Sequence, residues 1–366
     1  MSAPDLTLIT KRRFGPIFAV QFLGAFNDNL LKFAMLFLAN FGLYAAQPDK
    51  AELLAAAATG LFILPYFLFS ALAGQVADMV DKARIVRWIK LAEVGIMAIA
   101  LGGFWLQSIP ILLLSLFLMG LHSTMFGPIK YAIVPQHLRP DEIMGGTGLI
   151  ESGTFLAILG GQLLAGMVPP WVAGVIAVSV AVVGWLASLA VPPAPSIRGG
   201  HKIDWNIFKA TADVLRTAKH GSGSWLAILG ISWFFAAGAV LMSEFAPLVS
   251  GTLAAQQEVV TLFLVVFSVS IATGSMLVGR LLKGEVSARY VPASALVLAF
   301  GMIDLWLSTR SFAVHTSGAS IAQFVATPGA IRILIDLAVI VPRAACSSCR
   351  FTRSCRSAAR PRNARG

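Results

Sequence analysis

Polar side chains interrupt an apolar run near the start of the chain. The stretch FNDNLLKF, residues 26–33, lies within the run 14–43, and its polar members are Asn27, Asp28, Asn29 and Lys32. Ionisable groups at membrane depth cost roughly 2.5–3.5 kcal/mol each, so they are expected to face a cavity or a partner. Asp28 and Lys32 are four residues apart and share one helix face. They could bind a cation and a phosphate, or they could form an internal ion pair that only fastens helices.

The composition indicates that lipid surrounds this stretch. The chain has 366 residues, of which 57% are hydrophobic and 12% charged, whereas a soluble domain has about 25% charged residues. Backbone groups in hydrocarbon must be satisfied within their own segment, so apolar runs of spanning length are predicted to be helices. The sequence therefore predicts an all-α polytopic membrane protein with ten candidate spans, at 14–43, 52–80, 86–107, 109–131, 143–168, 170–192, 223–247, 256–281, 289–309 and 329–342.

The basic residues predict the orientation of the chain. The net charge of +11 at first suggests a nucleic-acid partner, but seven arginines lie in residues 343–366 without an acid. Most other basic residues fall in alternate loops, with 17 on one predicted side of the membrane and three on the other. The loop after the second span is counted with Lys82, Arg84, Arg87 and Lys90. Since Lys and Arg are enriched in cytoplasmic loops, the N-terminus is predicted to be cytoplasmic and no nucleic-acid partner is expected.

A long polar segment divides the predicted spans into six and four. Residues 193–222 form this segment, which we interpret as a cytoplasmic linker with a partly amphipathic stretch. The predicted organisation is therefore an N-terminal half at 1–192, the linker, and a partial C-terminal half at 223–342. Such a division is typical of secondary transporters built from repeated halves.

The segment after the second span, GQVADMVDKAR at 74–84, resembles the signature loop of the major facilitator superfamily. The matching residues are Gly74, Asp78, Lys82 and Arg84. Physically, Gly74 would let two helices approach closely, Asp78 would pair with cations or a helix N-terminus, and the basic pair would anchor the loop. The usual glycine before the basic pair is absent, and a basic inside loop with no gating role is the alternative.

Three further stretches resemble the bacterial lysophospholipid transporter family. They are FLGAFNDNLLKFA at 22–34, FGPIKYAIVPQHL at 126–138 and GLIESGTFLAILGG at 148–161, within a resemblance that covers about residues 14–342. The resemblance implies a twelve-helix fold with about ten helices present here, in a bacterial inner membrane. It implies the flipping of lysophospholipids such as lyso-phosphatidylethanolamine to the inner leaflet for re-acylation. The same module occurs fused to an acyltransferase and an acyl-carrier-protein synthetase, which makes such an enzyme a possible partner.

The resemblance also implies site residues, because the first, fourth, seventh and tenth spans of this superfamily line the central path. That set would contact the zwitterionic head group and a coupling cation, and it comprises Asp28, Asn29, Lys32, Glu244 and Asp336. Three more candidates are Glu151 in the fifth span and Lys130 and Tyr131 at the end of the fourth. The alternatives are an interhelical hydrogen bond for Glu151 and snorkelling for Lys130. Glu93 and Asp304 are interpreted as structural, and His122 as a core or lining residue.

An enzyme is the second class of function to consider. The acyltransferase would need a His and an Asp five residues apart, whereas His137 is followed at that distance by Glu142. No Gly-rich loop with Gly-Lys-Ser/Thr occurs either, so neither catalysis nor a cofactor is expected. Two further alternatives are a proton-coupled transporter of another small amphiphile and an inactive truncated remnant.

The last segment, residues 343–366, differs in composition from everything before it. It is a mixture of Arg, Ser and Cys, including CSSC at 346–349. GC-rich codons for its first part can be read in another frame as GGLFVVPLYAIL, which would continue the tenth span. The sequence thus predicts a frameshift near residue 343, with a basic tail held by anionic lipid as the alternative.

Overall fold

A computed structural model of the chain describes residues 6–139, 142–196, 205–220, 224–281, 291–312 and 318–339. The tail with its predicted frameshift lies outside these residues. Within them the regular structure is helical, apart from one isolated bridge between Ala255 and Ala319. The longer α-helices are α1 (Gly15–Leu38), α2 (Pro48–Met79), α3 (Lys82–Trp105), α4 (Ile109–His137), α5 (Ile143–Met167), α6 (Pro170–Leu189), α7 (Ile207–His220), α8 (Ser224–Pro247), α9 (Gln257–Leu281) and α10 (Val291–Arg310).

Shorter elements complete the description. Two short α-helices are α11 (Ile321–Ala326) and α12 (330–339). A 3₁₀ turn at Leu6–Thr10 precedes α1, and π-helical turns at Ala39–Leu43 and Leu248–Thr252 continue α1 and α8. Ten of the helices match the ten predicted spans, and α7 and α11 are the additional ones. In the described part of the chain, five helices are long and apolar enough to cross a membrane by length and composition. The prediction of an all-α polytopic membrane protein is confirmed.

The junction between the second and third spans differs from the prediction. Lys82, Arg84, Arg87 and Lys90 were counted with a loop, but all four lie in α3, which begins at Lys82, four residues before the predicted span 86–107. The reason is Asp81, whose carboxylate accepts a hydrogen bond from the Arg84 backbone N–H at 2.9 Å and caps the helix. The connection between α2 and α3 is therefore only two residues long. The Lys90 side chain is buried among the helices and does not reach the solvent.

The first unit, residues 1–212, packs its helices around α1. Helix α1 packs mainly against α5 and α6, α2 against α4, and α3 against α4 and α6. Glycines permit the closest approaches: an added Cβ on Gly161 would meet the backbone carbonyl of Phe26, and one on Gly120 would meet that of Phe62. The atoms met in both places are backbone atoms, which cannot easily move aside. At Gly161 the backbones of α1 and α5 are therefore in close contact.

The α1–α5 contact makes a testable prediction. Gly161→Ala should destabilise the protein by about 1–3 kcal/mol, because the methyl group would overlap the Phe26 carbonyl and force the helices apart. The matched control is Gly95→Ala in α3, where an added Cβ meets nothing within 4 Å in the described structure. That change should be neutral or slightly stabilising, since Ala favours helix. Thermal unfolding in detergent measures both; equal melting temperatures for the two variants would contradict the prediction.

The second unit, residues 213–366, is described by itself. Its core contains an aromatic group in which Phe245 packs edge-on against Phe263 and Phe267, with ring centroids 5.8 and 5.7 Å apart. Phe324 of α11 continues the group, 5.8 Å from Phe263. The boundary between the units falls inside α7, within the predicted linker 193–222.

Candidate functional site

The Asp28 carboxylate is held by a hydroxyl from another helix. Ser123 of α4 lies with its Oγ 2.9 and 2.8 Å from the two Asp28 oxygens, to either of which it can donate. The ion pair with Lys32 that the spacing allowed is absent from the described structure. Lys32 lies one turn further along α1 and is half-buried. The serine neutralises no charge, so Asp28 keeps an unpaired carboxylate at membrane depth.

The residue before Asp28 belongs to a second, fully buried polar cluster. The Asn27 amide donates to Glu93 Oε1 at 2.9 Å and to the Ala177 carbonyl of α6 at 3.1 Å. Lys90 Nζ lies 2.5 Å from Glu93 Oε2, and both side chains are 0% exposed. His122 of α4 places Nε2 3.2 Å from the same Glu93 oxygen. This arrangement, which we call the buried cluster (Asn27, Lys90, Glu93, His122), satisfies the charges within the helix bundle.

The buried cluster and Asp28 are adjacent. His122 Nδ1 lies 3.4 Å from the Oγ of Ser123, the residue that donates to Asp28. A continuous line of polar atoms therefore runs from Glu93 through His122 and Ser123 to Asp28. The packing of α1, α3 and α4 brings these residues together, although they lie far apart in the sequence.

Asn29, the third polar residue of the opening stretch, binds within the α1–α5 contact. Its amide donates to the Ala25 carbonyl at 2.9 Å, one turn back on its own helix. Its Oδ1 accepts from the Gln162 amide of α5 at 3.3 Å. Four residues before Ala25 on α1, the Gln21 amide donates to the Thr154 hydroxyl of α5. Side-chain hydrogen bonds thus accompany the close glycine contact along this helix pair.

The predicted residues of α4 and α5 meet each other. The Tyr131 hydroxyl donates to the Glu151 carboxylate, which joins the end of α4 to the first turns of α5. Lys130 Nζ lies 4.8 Å from the centre of the Tyr131 ring, a cation–π distance. Both the functional and the structural interpretation of Glu151 fit this contact, because a carboxylate that accepts from Tyr131 fastens two helices and still carries charge.

The signature-loop residues make fewer contacts than the motif predicts, and their contacts have different partners. An added Cβ on Gly74 would meet nothing within 4 Å in the described structure, so this glycine does not serve a close helix approach there. Asp78 lies half-buried in the last turn of α2, and Arg84 is exposed. Asp81 instead accepts from the backbone N–H of Ala194 at 3.1 Å, and Lys82 Nζ donates to the Pro195 carbonyl at 3.3 Å. The α2–α3 junction is therefore anchored to the segment after α6.

The segment between α4 and α5 carries a second charged cluster, outside the spans. Glu142 accepts from the Arg139 backbone N–H at 3.0 Å and from Arg13 at 2.5 Å, and Lys11 lies 3.7 Å away. The Arg139 N–H, together with the Arg13 guanidinium, holds the pKa of the Glu142 carboxyl below its ordinary value. The cluster joins the segment before α1 to the start of α5.

This lowered pKa predicts a pH dependence of stability. A carboxyl whose pKa is lower in the folded state stabilises the protein above its unfolded pKa of about 4.3 and loses that contribution as pH falls through the folded value. Glu142→Gln should therefore lower the melting temperature at pH 7, and the difference from the unsubstituted protein should shrink progressively as the pH falls below about 4.3. Thermal unfolding across pH 3–8 measures this, and a difference that persists undiminished at the acidic end would contradict it.

The two predicted site residues of the second unit have different surroundings. Asp336 of α12 is buried and accepts from Ser308 of α10 at 2.7 Å. On the same pair of helices Arg332 forms an ion pair with Asp304, which agrees with the structural interpretation of Asp304. Glu244 of α8 is exposed within its unit.

Sequence reasoning missed the buried cluster as a unit. It assigned Lys90 to a loop and treated Glu93 and His122 separately. One signal was available, because Lys90 and Glu93 are three residues apart and lie on one face of an apolar helix. No group of three or more metal-ligating side chains occurs among the residues that the structure describes.

A bundle of apolar helices with charged groups fixed between them is the architecture of a polytopic membrane protein. The family model of the Major Facilitator Superfamily matches residues 17–340. The chain belongs to this superfamily, whose members are transporters. Its described helices agree with about ten of the twelve helices of the fold.

Several relatives bear the same name, lysophospholipid transporter LplT. The protein from Cronobacter sakazakii is 28% identical over 304 residues, which cover 81% of this chain and 72% of the relative. Those from Klebsiella pneumoniae and Escherichia coli are 28% and 26% identical over 291 and 293 residues, each covering 77% of this chain and 69% of the relative.

Solved structures share the fold at low sequence identity. A bacterial homologue of the human lysosomal transporter Spinster superposes with a TM-score of 0.62 at 15% identity, covering 95% of this chain and 78% of that one. The nucleoside transporter NupG gives 0.61 at 12% identity, with 94% and 87% covered. The human organic anion transporter MFSD10 gives 0.60 at 15% identity, with 94% and 90% covered.

Proposed function

We propose that this protein moves lysophospholipids, such as lyso-phosphatidylethanolamine, across the bacterial inner membrane. The observation that carries the proposal is Asp28, a carboxylate at membrane depth that is held by the neutral Ser123 and not by a cation. A carboxylate without an ion-pair partner is suited to bind an ammonium group. The relatives named lysophospholipid transporter support the choice of substrate class.

Lys32 supplies the complementary charge for the phosphate. It has no ion pair or hydrogen bond in the described part of the chain, and it lies one helical turn from Asp28. A zwitterionic head group carries an ammonium and a phosphate a few ångströms apart, so two opposite charges one turn apart match it. Asn29 borders this pair, whereas Glu151, Lys130 and Tyr131 would act nearer one end of the same path.

The remaining parts of the proposal concern the surroundings of this site. The N-terminus is cytoplasmic, the halves are residues 1–192 and 223–342, and residues 193–222 link them. Glu244 and Asp336 contribute from the second half, and Gly74, Asp78, Lys82 and Arg84 control gating. A coupling cation shares the Asp28 carboxylate, and an acyltransferase or acyl-carrier-protein synthetase re-acylates the transported lipid.

Back-extraction from proteoliposomes tests the proposal. Fluorescent lyso-phosphatidylethanolamine is added to the outer leaflet, and albumin then removes whatever has stayed there. We expect a protected fraction that grows with time only in vesicles that contain the protein. Protection equal to that of empty vesicles, with the reconstituted protein shown to be folded, would overturn the proposed function.

A proton-coupled transporter of another small amphiphile is the second candidate. The line of polar atoms from Glu93 through His122 to Asp28 favours it, because such a line can carry protons. The same vesicles, prepared with a pH gradient across the membrane, test the coupling. Lysolipid protection that is unchanged when the pH gradient is collapsed would exclude proton coupling of lysolipid transport.

A further inference from the structure

A cavity of about 480 Å³ opens beside the start of α1 and the end of α6. Its lining consists of Arg12, Arg13 and Arg87 together with the largely apolar segment 189–193. No acidic side chain belongs to this lining within the described structure. The volume is in the range of about 300–1,000 Å³ that is usual for small-ligand sites. We call it the arginine cavity.

The three arginines of the cavity differ in the number of hydrogen-bond and ion-pair partners that their side chains already have. Arg13 is held by Glu142 at 2.5 Å. Arg87 donates one N–H to the Val191 carbonyl at 3.3 Å, but its Nε is buried and has no acceptor in the described structure. Arg12 is exposed and forms no hydrogen bond or ion pair within the same residues. Since a buried donor without an acceptor costs about 1–3 kcal/mol, an acceptor that entered the cavity would be bound favourably.

The chemistry and the position of the cavity indicate its ligand. Guanidinium groups bind phosphate oxygens through paired N–H donors. The cavity lies where helices begin and end, which is the depth of lipid head groups, and its apolar wall at 189–193 suits the glycerol and first methylenes of a lipid. Basic pockets between transmembrane helices are known to bind anionic head groups.

We propose that the arginine cavity binds the phosphate of an anionic membrane phospholipid such as phosphatidylglycerol. The site uses none of the polar residues of α1 or α4, so it is separate from the proposed transport site and independent of the proposed substrate. A free phosphate ion shares the chemistry of the head group, and the apolar wall favours the lipid.

Native mass spectrometry of the detergent-solubilised full chain tests this proposal. The protein is titrated with phosphatidylglycerol and, separately, with phosphatidylcholine, and millimolar inorganic phosphate is added as a competitor. The variants are Arg12→Gln, the double variant Arg12→Gln/Arg87→Gln, and Arg139→Gln as the matched control. Arg139 is an exposed arginine whose backbone N–H, not its side chain, binds Glu142.

We expect the Arg12→Gln variant to weaken phosphatidylglycerol retention about fivefold and the double variant to weaken it further, because each arginine that lines the cavity should contribute about that factor to binding of the anionic head group. Arg139→Gln and phosphatidylcholine retention should not change. Arg12 is exposed, so its single variant tests the proposal even where Arg87→Gln impairs folding. Unchanged retention in Arg12→Gln would overturn the proposal. Displacement of the lipid by inorganic phosphate would overturn the assignment to a lipid and identify a free-phosphate site.

Discussion

Removing Glu93 while Lys90 remains should cost the protein about 3–5 kcal/mol of stability, the largest loss that we expect from any single substitution. In Glu93→Leu the Lys90 ammonium would be left 0% exposed, with the centre of the Phe126 ring 5.7 Å away. The Asn27 amide would also lose one of its two acceptors. We expect little monodisperse protein after solubilisation and an early unfolding transition in a denaturant titration.

The double variant Lys90→Met/Glu93→Leu distinguishes an uncompensated charge from a packing defect. It removes both charges and keeps similar volumes, so most of the stability should return. Glu52→Ala, at an exposed acid of α2, is the surface control and should stay within about 0.5 kcal/mol. A double variant as unstable as Glu93→Leu alone would show that the ion pair is not what the single variant disrupts.

Asp28→Asn should reduce the transport of lyso-phosphatidylethanolamine by about tenfold to a hundredfold in the back-extraction assay. A hydrogen bond to a charged group contributes about 1.5–3 kcal/mol, and each 1.4 kcal/mol corresponds to a factor of ten. Asn keeps the size of the side chain and can still accept from Ser123, so the helix contact survives. The variant therefore removes the charge and little else.

Two controls make the Asp28 result specific. Ser123→Ala keeps the carboxylate and removes its donor, so its effect on transport should be much smaller than that of Asp28→Asn. A lysophosphatidylglycerol probe lacks the ammonium group, so its transport should depend less on Asp28. Normal transport of the ethanolamine lipid by a normally expressed Asp28→Asn variant would reduce this residue to a bystander.

Hydropathy was sufficient to predict the ten helices that match the candidate spans, but it could not predict the polar contacts. Spans are defined by local composition, and the start of α1 and both ends of α5 lie within one residue of their predictions. Lys90 was counted with a loop although it lies within the predicted span 86–107, because a lysine near a short, charged junction resembles a loop residue. Likewise, the spacing of Asp28 and Lys32 allowed an ion pair, but the partner that the packing supplies is Ser123, 95 residues away.

Asn27 and Asp28 point in different directions, and this restrains the motion of α1. Successive residues of an α-helix project about 100° apart. Asn27 binds Glu93 of α3 and the Ala177 carbonyl of α6, whereas Asp28 binds Ser123 of α4. Rotation of α1 about its axis would break both sets of hydrogen bonds, and sliding along the axis would separate Asn27 from Ala177. Helices α1, α3, α4 and α6 are therefore joined into one mechanical body, so a force applied at Asp28 would displace four helices together and not one side chain.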